Sequence, residues 1–312
     1  MIISAYIKTT PPAHGQGIRL VVLQDKGPAG TDQAIEHNLA RLAAAVDIAL
    51  DYGAQLISFP ELYLSGYAVP PDRLHALAME NNGMILERVA AIAAAKAIGI
   101  ICPYPEKASV AGETRYYDAI ALFGPDGVLL KNYRKTHLWG PDEKKIWQPG
   151  YTHPEEGEAF SVHEINGLPI GLLNCYEAEF PELTRRLALD GAKLVVIPTA
   201  ADKSTKLSGG NWTSPAYPDV SKTLIPAHAW ENTLFIAYCN RCLEETLEGE
   251  LVGHYLGNSV IVDPHGGLMV AARNEATLLI ADCVPADYGP THPENTDYLE
   301  DRRPELYFGV RP

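Results

Sequence analysis

The chain has no apolar run of the roughly 18 residues that a membrane-spanning helix requires. Its opening stretch, MIISAYIKTTPPAHG, carries no basic region ahead of its few apolar residues, so a secretory signal is not expected. Cysteine is sparse and odd in number, with five in 312 residues. That disfavours a disulfide framework and points to a reducing, cytoplasmic setting. Positive charge is also short: 25 basic residues stand against 39 acidic ones, for a formal net charge of −14. A chain with that balance offers no basic stripe for nucleic acid and no attraction to an anionic membrane. Linkers, low-complexity segments and fixed-period repeats are missing too. The ten histidines show no His-x-x-x-His pair, so neither a metal nor another cofactor is expected. What remains is an ordinary soluble composition, 46% hydrophobic and 21% charged, on a chain long enough to bury a large core.

Strand-like and helix-like segments alternate. Ile18–Gln24, Leu56–Phe59 and Ile98–Pro103 read as buried strands, and Ala34–Tyr52 and Met84–Ala97 as helices between them. Tyr117–Phe123 and Val128–Asn132 flank Gly124-Pro125-Asp126-Gly127, a hairpin signal. Leu168–Asn174 and Leu194–Pro198 enclose a helix at Pro181–Asp190, and Leu234–Asn240 and Asn258–Asp263 read as later strands. The Gly-, Ser-, Thr- and Pro-rich loop Ala201–Pro218 is long enough to suggest function. The whole reads as one α/β domain over residues 1–312, with a tail from about 286 that has no clear periodicity and lies over the surface or a partner subunit.

Three strand ends carry residues capable of chemistry, and strand ends are where α/β folds place ligands. Leu56–Phe59 runs through Pro60 into Glu61, either a surface carboxylate or a partly buried general base. Arg134 and Lys135 follow a strand and point opposite ways, so one can face solvent and the other a pocket, where a lysine would steady an oxyanion. Leu168–Asn174 delivers Cys175 to an abrupt polar turn, Tyr176-Glu177-Ala178-Glu179, before a helix. Cys175 is a buried inert thiol or an exposed nucleophile at a sheet edge. Cys102, Cys239, Cys242 and Cys283 read as inert.

Taken together, these segments resemble the nitrilase, or carbon–nitrogen hydrolase, superfamily, whose signature is a Glu–Lys–Cys triad on three strand ends. The matching residues are FPE ending at Glu61, YRKTHL with Lys135, and NCYEAEFPE with Cys175. EKKIWQPG resembles the segment carrying the family's fourth acidic residue, here Glu143. AHAWENTLFIAYCNR resembles an R-A-x-E-N…N-R stretch, with His228 where arginine is common. Gly257–Gly266 resembles a G-x-S-x-I-x-D-P-x-G strand, and Asp297–Tyr307 a frequent carboxy-terminal ending. The resemblance implies a four-layer α-β-β-α sandwich, and a homodimer or larger homo-oligomer with Pro181–Asp190 as a candidate interface helix. It implies that Cys175 attacks the substrate, that Glu61 is the base, that Lys135 and a backbone N–H near Tyr176 hold the oxyanion, and that Glu143 orients substrate or Lys135. No cofactor enters that scheme.

The substrate implied is a small amide or nitrile. Cys175-Tyr176-Glu177 leans to the amidase side, where Cys-Tyr-Asp is common, while nitrilases commonly carry Cys-Trp-Glu. N-carbamoyl hydrolysis and a non-catalytic binding or assembly role are the alternatives. Tyr63, Trp139, Tyr176 and Trp212 are candidate pocket residues for an apolar acyl group, or else ordinary core and interface aromatics. Rival chemistries are poorly supplied. Cys239-x-x-Cys242 lacks a second pair for zinc, nothing places His137 or His163 beside Cys175, and Gly209-Gly210 lacks the lysine of a phosphate loop.

Overall fold

Ile18–Gln24 is buried along its whole length, and its side chains alternate between two cores. Ile18, Leu20 and Val22 enter one and Val21 and Leu23 the other, so this strand must be covered on both faces. The computed structural model shows what covers them and describes residues 1–206, 212, 217–294 and 296–307. Gly209-Gly210 and most of the loop around it lie outside the described residues.

The described strands in the first half are β1 Ile2–Tyr6, β2 Ile18–Gln24, β3 Pro28–Ala29, β4 Leu56–Ser58, β5 Gly99–Val110, β6 Glu113–Phe123, β7 Leu129–Arg134, β8 His163–Ile165 and β9 Leu168–Leu172. Those in the second half are β10 Leu194–Thr199, β11 Asp202–Thr205, β12 Phe235–Asn240, β13 Cys242–Leu247, β14 Glu250–Leu256, β15 Val260–Val262, β16 Leu268–Ala271 and β17 Thr277–Cys283. The helices are α1 Asp32–Asp51, α2 Pro71–Leu77, α3 Met84–Lys96, α4 Gly140–Ile146, α5 Pro181–Leu189, α6 Leu224–Asn232 and α7 Pro304–Tyr307. None of them is long and apolar enough to cross a membrane.

One sheet has the order β1-β17-β2-β4-β5-β6-β7 and a second the order β16-β15-β12-β10-β9-β8. Helices α1 and α3 cover the outer face of the first through Leu39, Leu42, Val46, Leu86 and Val89. Helices α5 and α6 cover the outer face of the second through Leu183, Leu187, Ile225 and Ala229. The inner faces meet through residues such as Leu20, Ile120, Ile170 and Val196. The result is the four-layer α-β-β-α sandwich that the family resemblance implies. A small third sheet, β11-β14-β13-β3, lies beside these layers.

Local signals explain the helix limits. Thr31 caps α1 by accepting from the Ala34 N–H at 3.0 Å, and Gly53 adopts a left-handed φ of 71° just beyond its end. Some elements run further than their apolar runs suggest. The β5–β6 hairpin extends to Val110 and Glu113 through polar residues on an exposed ladder. Strand β7 extends to Arg134, and β9 stops at Leu172 rather than Asn174. The tail beyond residue 286 packs back on the chain, where the Tyr298 hydroxyl accepts from the Trp230 indole N–H at 3.1 Å.

Candidate active site

Strand β4 ends at Ser58, and the chain turns through Pro60 so that Glu61 is carried inward with no solvent exposure. Arg241, at the end of β12, fixes that turn. Its guanidinium donates to the carbonyls of Glu61 and Leu62 at 2.9 and 2.6 Å, and to the Glu245 carboxylate at 2.8 Å. Glu245 in turn accepts from the backbone N–H groups of Tyr67 and Ala68.

Lys135 follows β7 directly. Its backbone continues the pairing by donating to the Asp118 carbonyl at 2.9 Å, which turns the side chain inward. Its ammonium donates to Glu61 at 2.7 Å and to Glu143 at 2.9 Å, and lies 3.5 Å from Asp118. Burial alone would strip this charge, but the Glu143 and Glu61 carboxylates hold the group protonated, well above the usual lysine range. Arg134 does not face free solvent. It pairs with Glu106 at 2.7 Å and Glu156 at 3.2 Å.

Glu143 sits on α4, a short helix opened by Pro141. Besides Lys135, it accepts from the Tyr67 hydroxyl at 2.8 Å and the Trp139 N–H at 2.7 Å. Burial pushes its carboxyl up, and the Lys135 charge opposes this.

Cys175 follows the end of β9 with a left-handed φ of 51°, an uncommon conformation for a residue with a Cβ. Glu177 secures the turn. Its buried carboxylate accepts from the Asn174 N–H at 2.8 Å, the Tyr133 hydroxyl at 2.7 Å and the Thr136 N–H at 2.6 Å. Burial pushes Glu177 up, yet hydrogen bonds from His137, Thr136 and Tyr133 outweigh it and hold the group below the usual carboxylate range. The Cys175 thiol is pushed well up by burial and by the Glu61 charge, while Lys135 and the Ala200 N–H act against that. Burial thus opposes the thiolate, and Glu61 is among the groups whose charge the thiol feels.

Glu61, Lys135 and Glu143 therefore converge at one place, and Cys175 lies near enough to feel all three. Asp118, on β6, joins them, and Asn174 donates to it at 2.9 Å. One oxygen each of Glu61, Asp118 and Glu143 lies within 4.8 Å of the others, a donor set of the kind that suits a hard cation. Here the Lys135 ammonium stands at its centre.

The four aromatic candidates are dispersed. Tyr176 lines a hollow of about 430 Å³ with His137, Lys144, Trp147 and Phe180. Trp139 reaches the site through its N–H to Glu143, while its ring meets Tyr217 edge-on at 5.9 Å. Trp212 is exposed and tilts against His254 at 6.1 Å. Tyr63 is a correction: it lies in the α1-covered core, with its ring 4.9 Å from Phe59 and its hydroxyl 3.4 Å from Asp25. Leu62, at a left-handed φ of 47°, turns the chain back towards that core, and Tyr67 reaches the site instead. Cys239 and Cys242 are buried free thiols that burial pushes up, Cys242 to about 12. His137 contacts Thr136 and Glu177, and His163 meets Ser161.

Asp118 and Tyr67 escaped the sequence reading. The signal for Asp118 was an acid inside the apolar run Tyr117–Phe123, since a buried charge is almost never left unpaired.

Comparison with known proteins bears on this arrangement. The carbon–nitrogen hydrolase family model matches residues 23–293. A curated protein of Pseudomonas protegens described as a hydrolase in the pqqF 5' region is 37% identical over 86% of this chain and 85% of its own. An (R)-stereoselective amidase of Pseudomonas sp. is 30% identical over 88% of this chain and 89% of its own. A solved mutant of the amidase from Nesterenkonia sp. AN1 superposes with a TM-score of 0.71 at 29% identity, covering 96% of this chain and 98% of its own. That protein carries the acetamide moiety of fluoroacetamide covalently on its active-site cysteine.

Proposed function

The chain belongs to the carbon–nitrogen hydrolase family, and from that premise we propose that it hydrolyses a small amide to a carboxylic acid and ammonia through a thioester on Cys175. The observation that carries this reading is the Cys175 thiol, set on a left-handed residue and felt electrostatically by Glu61, Lys135 and Glu143 in a buried cluster. Glu61 takes the thiol proton as the sulfur attacks the amide carbonyl. The Lys135 ammonium and a backbone N–H near Tyr176 hold the developing oxyanion. The proton on Glu61 then passes to the departing nitrogen, the C–N bond breaks, and ammonia leaves. The acyl group stays on sulfur. Glu61 next takes a proton from water as its oxygen attacks the thioester carbonyl. The sulfur leaves, recovers that proton, and the acid is released. Glu143 orients Lys135 through their 2.9 Å contact and is itself held by Tyr67 and Trp139.

The amidase names of two relatives, and the small amide-derived adduct on one of them, support an amide over a nitrile. Tyr176, next to Cys175 in the chain, lines a hollow with Trp147 and Phe180, which supports an apolar acyl group. The nitrile reading draws on Glu177, which stands where amidases commonly have aspartate. A nitrile with a higher kcat/KM than its matching amide would replace the amide reading.

Intact-mass measurement after brief mixing with a panel of small amides tests the scheme. An acyl adduct on Cys175 is expected, with ammonia release falling at least about a thousandfold in Cys175→Ala. Ammonia release that persists in Cys175→Ala would overturn it.

A further inference from the structure

We propose that Asp118 is a positioning residue that holds a proton against Glu61, so that the two carboxyl groups work as one acid–base unit beside Lys135. The inference deepens the amide-hydrolysis reading and rests on it for the role of Glu61 as base.

Asp118 interrupts an otherwise apolar strand segment. Tyr117 and Ala119 point to the α1-covered core, so Asp118 points between the two sheets, where it has no solvent exposure. One of its oxygens, Oδ1, accepts from Asn174 at 2.9 Å. The other, Oδ2, lies 3.5 Å from the Lys135 ammonium and has no hydrogen-bond donor among the described residues. Glu61 is similar. Its Oε1 takes the Lys135 ammonium at 2.7 Å, and its Oε2 has no donor. An oxygen of each carboxyl group lies within 4.8 Å of one on the other.

Two ionised carboxylates at that range present acceptor to acceptor and repel. One proton between them makes a donor and an acceptor and satisfies both orphaned oxygens at once. Charge counting agrees, because three buried carboxyl groups cluster around a single ammonium. The proton belongs on Asp118. Glu61 and Glu143 hold the shorter contacts to Lys135, and Glu143 accepts from Tyr67 and Trp139 as well. Burial and the Glu61 charge push Asp118 well up, in the same direction.

The groups facing Asp118 come from every neighbouring element. They are Glu61 after β4, Lys135 after β7, Glu143 on α4, and Asn174 after β9. On the adjoining β5, Glu106 is turned away to Arg134 and Asn132. A proton held there keeps the cluster from gaining a third negative charge and fixes the orientation of the base.

Infrared spectra of protein labelled with carbon-13 in its aspartate carboxyl groups test this directly. A protonated-carboxyl band is expected at about pH 8 and is expected to vanish in Asp118→Asn. Its absence from the unmutated protein would overturn the proposal. Kinetics supply the second readout. In Asp118→Ala, Glu61 loses a donor, so the acid limb of the kcat/KM profile moves up by about one pH unit. Asp118→Asn, whose amide N–H can donate to the same Glu61 oxygen, restores the limb to its original position. An ionised Asp118 would give the opposite sign, with the limb moving down in both variants. That result, or an unmoved limb in Asp118→Ala, would overturn the proposal. Failure of the amide reading looks different: no amide is turned over, while the infrared band still reports the proton.

Discussion

At the scale of the residue, Lys135 is the group on which the other charges depend. Lys135→Met keeps the length of the side chain and leaves Glu61 and Glu143 buried without their counter-charge, beside Asp118. The free energy of unfolding should fall by about 3–5 kcal/mol, read from urea denaturation at about pH 8. The loss should also depend on pH with a definite sign. Burial already raises Asp118 and Glu143, and removing the ammonium raises them further. A carboxyl whose folded-state pKa is raised adds stability as pH falls below it. The gap between variant and parent should therefore narrow on going from about pH 8 to about pH 5. These charges differ in how they can be read from sequence. Glu61, Lys135 and Cys175 each follow an apolar run and belong to a short motif, which is why they stand out. Asp118 sits inside such a run, and alternation alone says which face it takes but not what it meets. Tyr63 and Tyr67 exchange places because one left-handed residue, Leu62, turns the backbone, and composition carries no sign of that.

At the scale of the element, Glu177 joins three pieces of chain: the turn after β9, the end of β7 and the Thr136–His137 segment. Glu177→Gln replaces an acceptor-only carboxylate with an amide that must aim a donor at another donor. Slippage of the Cys175 turn should lower kcat by about 10–100-fold, with the effect on KM smaller. Glu177 lies below the usual carboxylate range in the fold. Its stabilisation is present above the unfolded-state value and is lost as pH falls through the folded-state value. Urea midpoints should thus separate variant from parent most near neutrality, with the separation shrinking as pH falls below the usual carboxylate range. Elements carrying an apolar stripe, such as α1 and α3, are legible from spacing, with ends set by Thr31, Gly53 and the left-handed Ala97. The small sheet is not. Strands β13 and β14 read CLEETL and ELVGHYL, with charged and polar residues that resemble a loop until cross-strand pairing is known.

At the scale of the molecule, each half of the site belongs to a different sheet. Glu61, Asp118 and Lys135 come from the first, and Cys175 comes from the end of β9 in the second. The stacking of the layers was legible, because buried strands alternating with amphipathic helices need cover on both faces. The order of strands within each sheet was not, since any apolar strand can pair with any other. That order matters at β17, which lies between β1 and β2, parallel to one and antiparallel to the other. A chain ended before Thr277 should give no soluble active protein, measured as yield and ammonia release. The described partner of β1 is thus β17, which is made after all the other described strands. The first-made sheet stays open along β2 until β17 has been made. Translation cannot hand this protein to the cell in finished sections. Until then, the nascent chain carries exposed apolar strands, the kind of unpaired edge that invites aggregation.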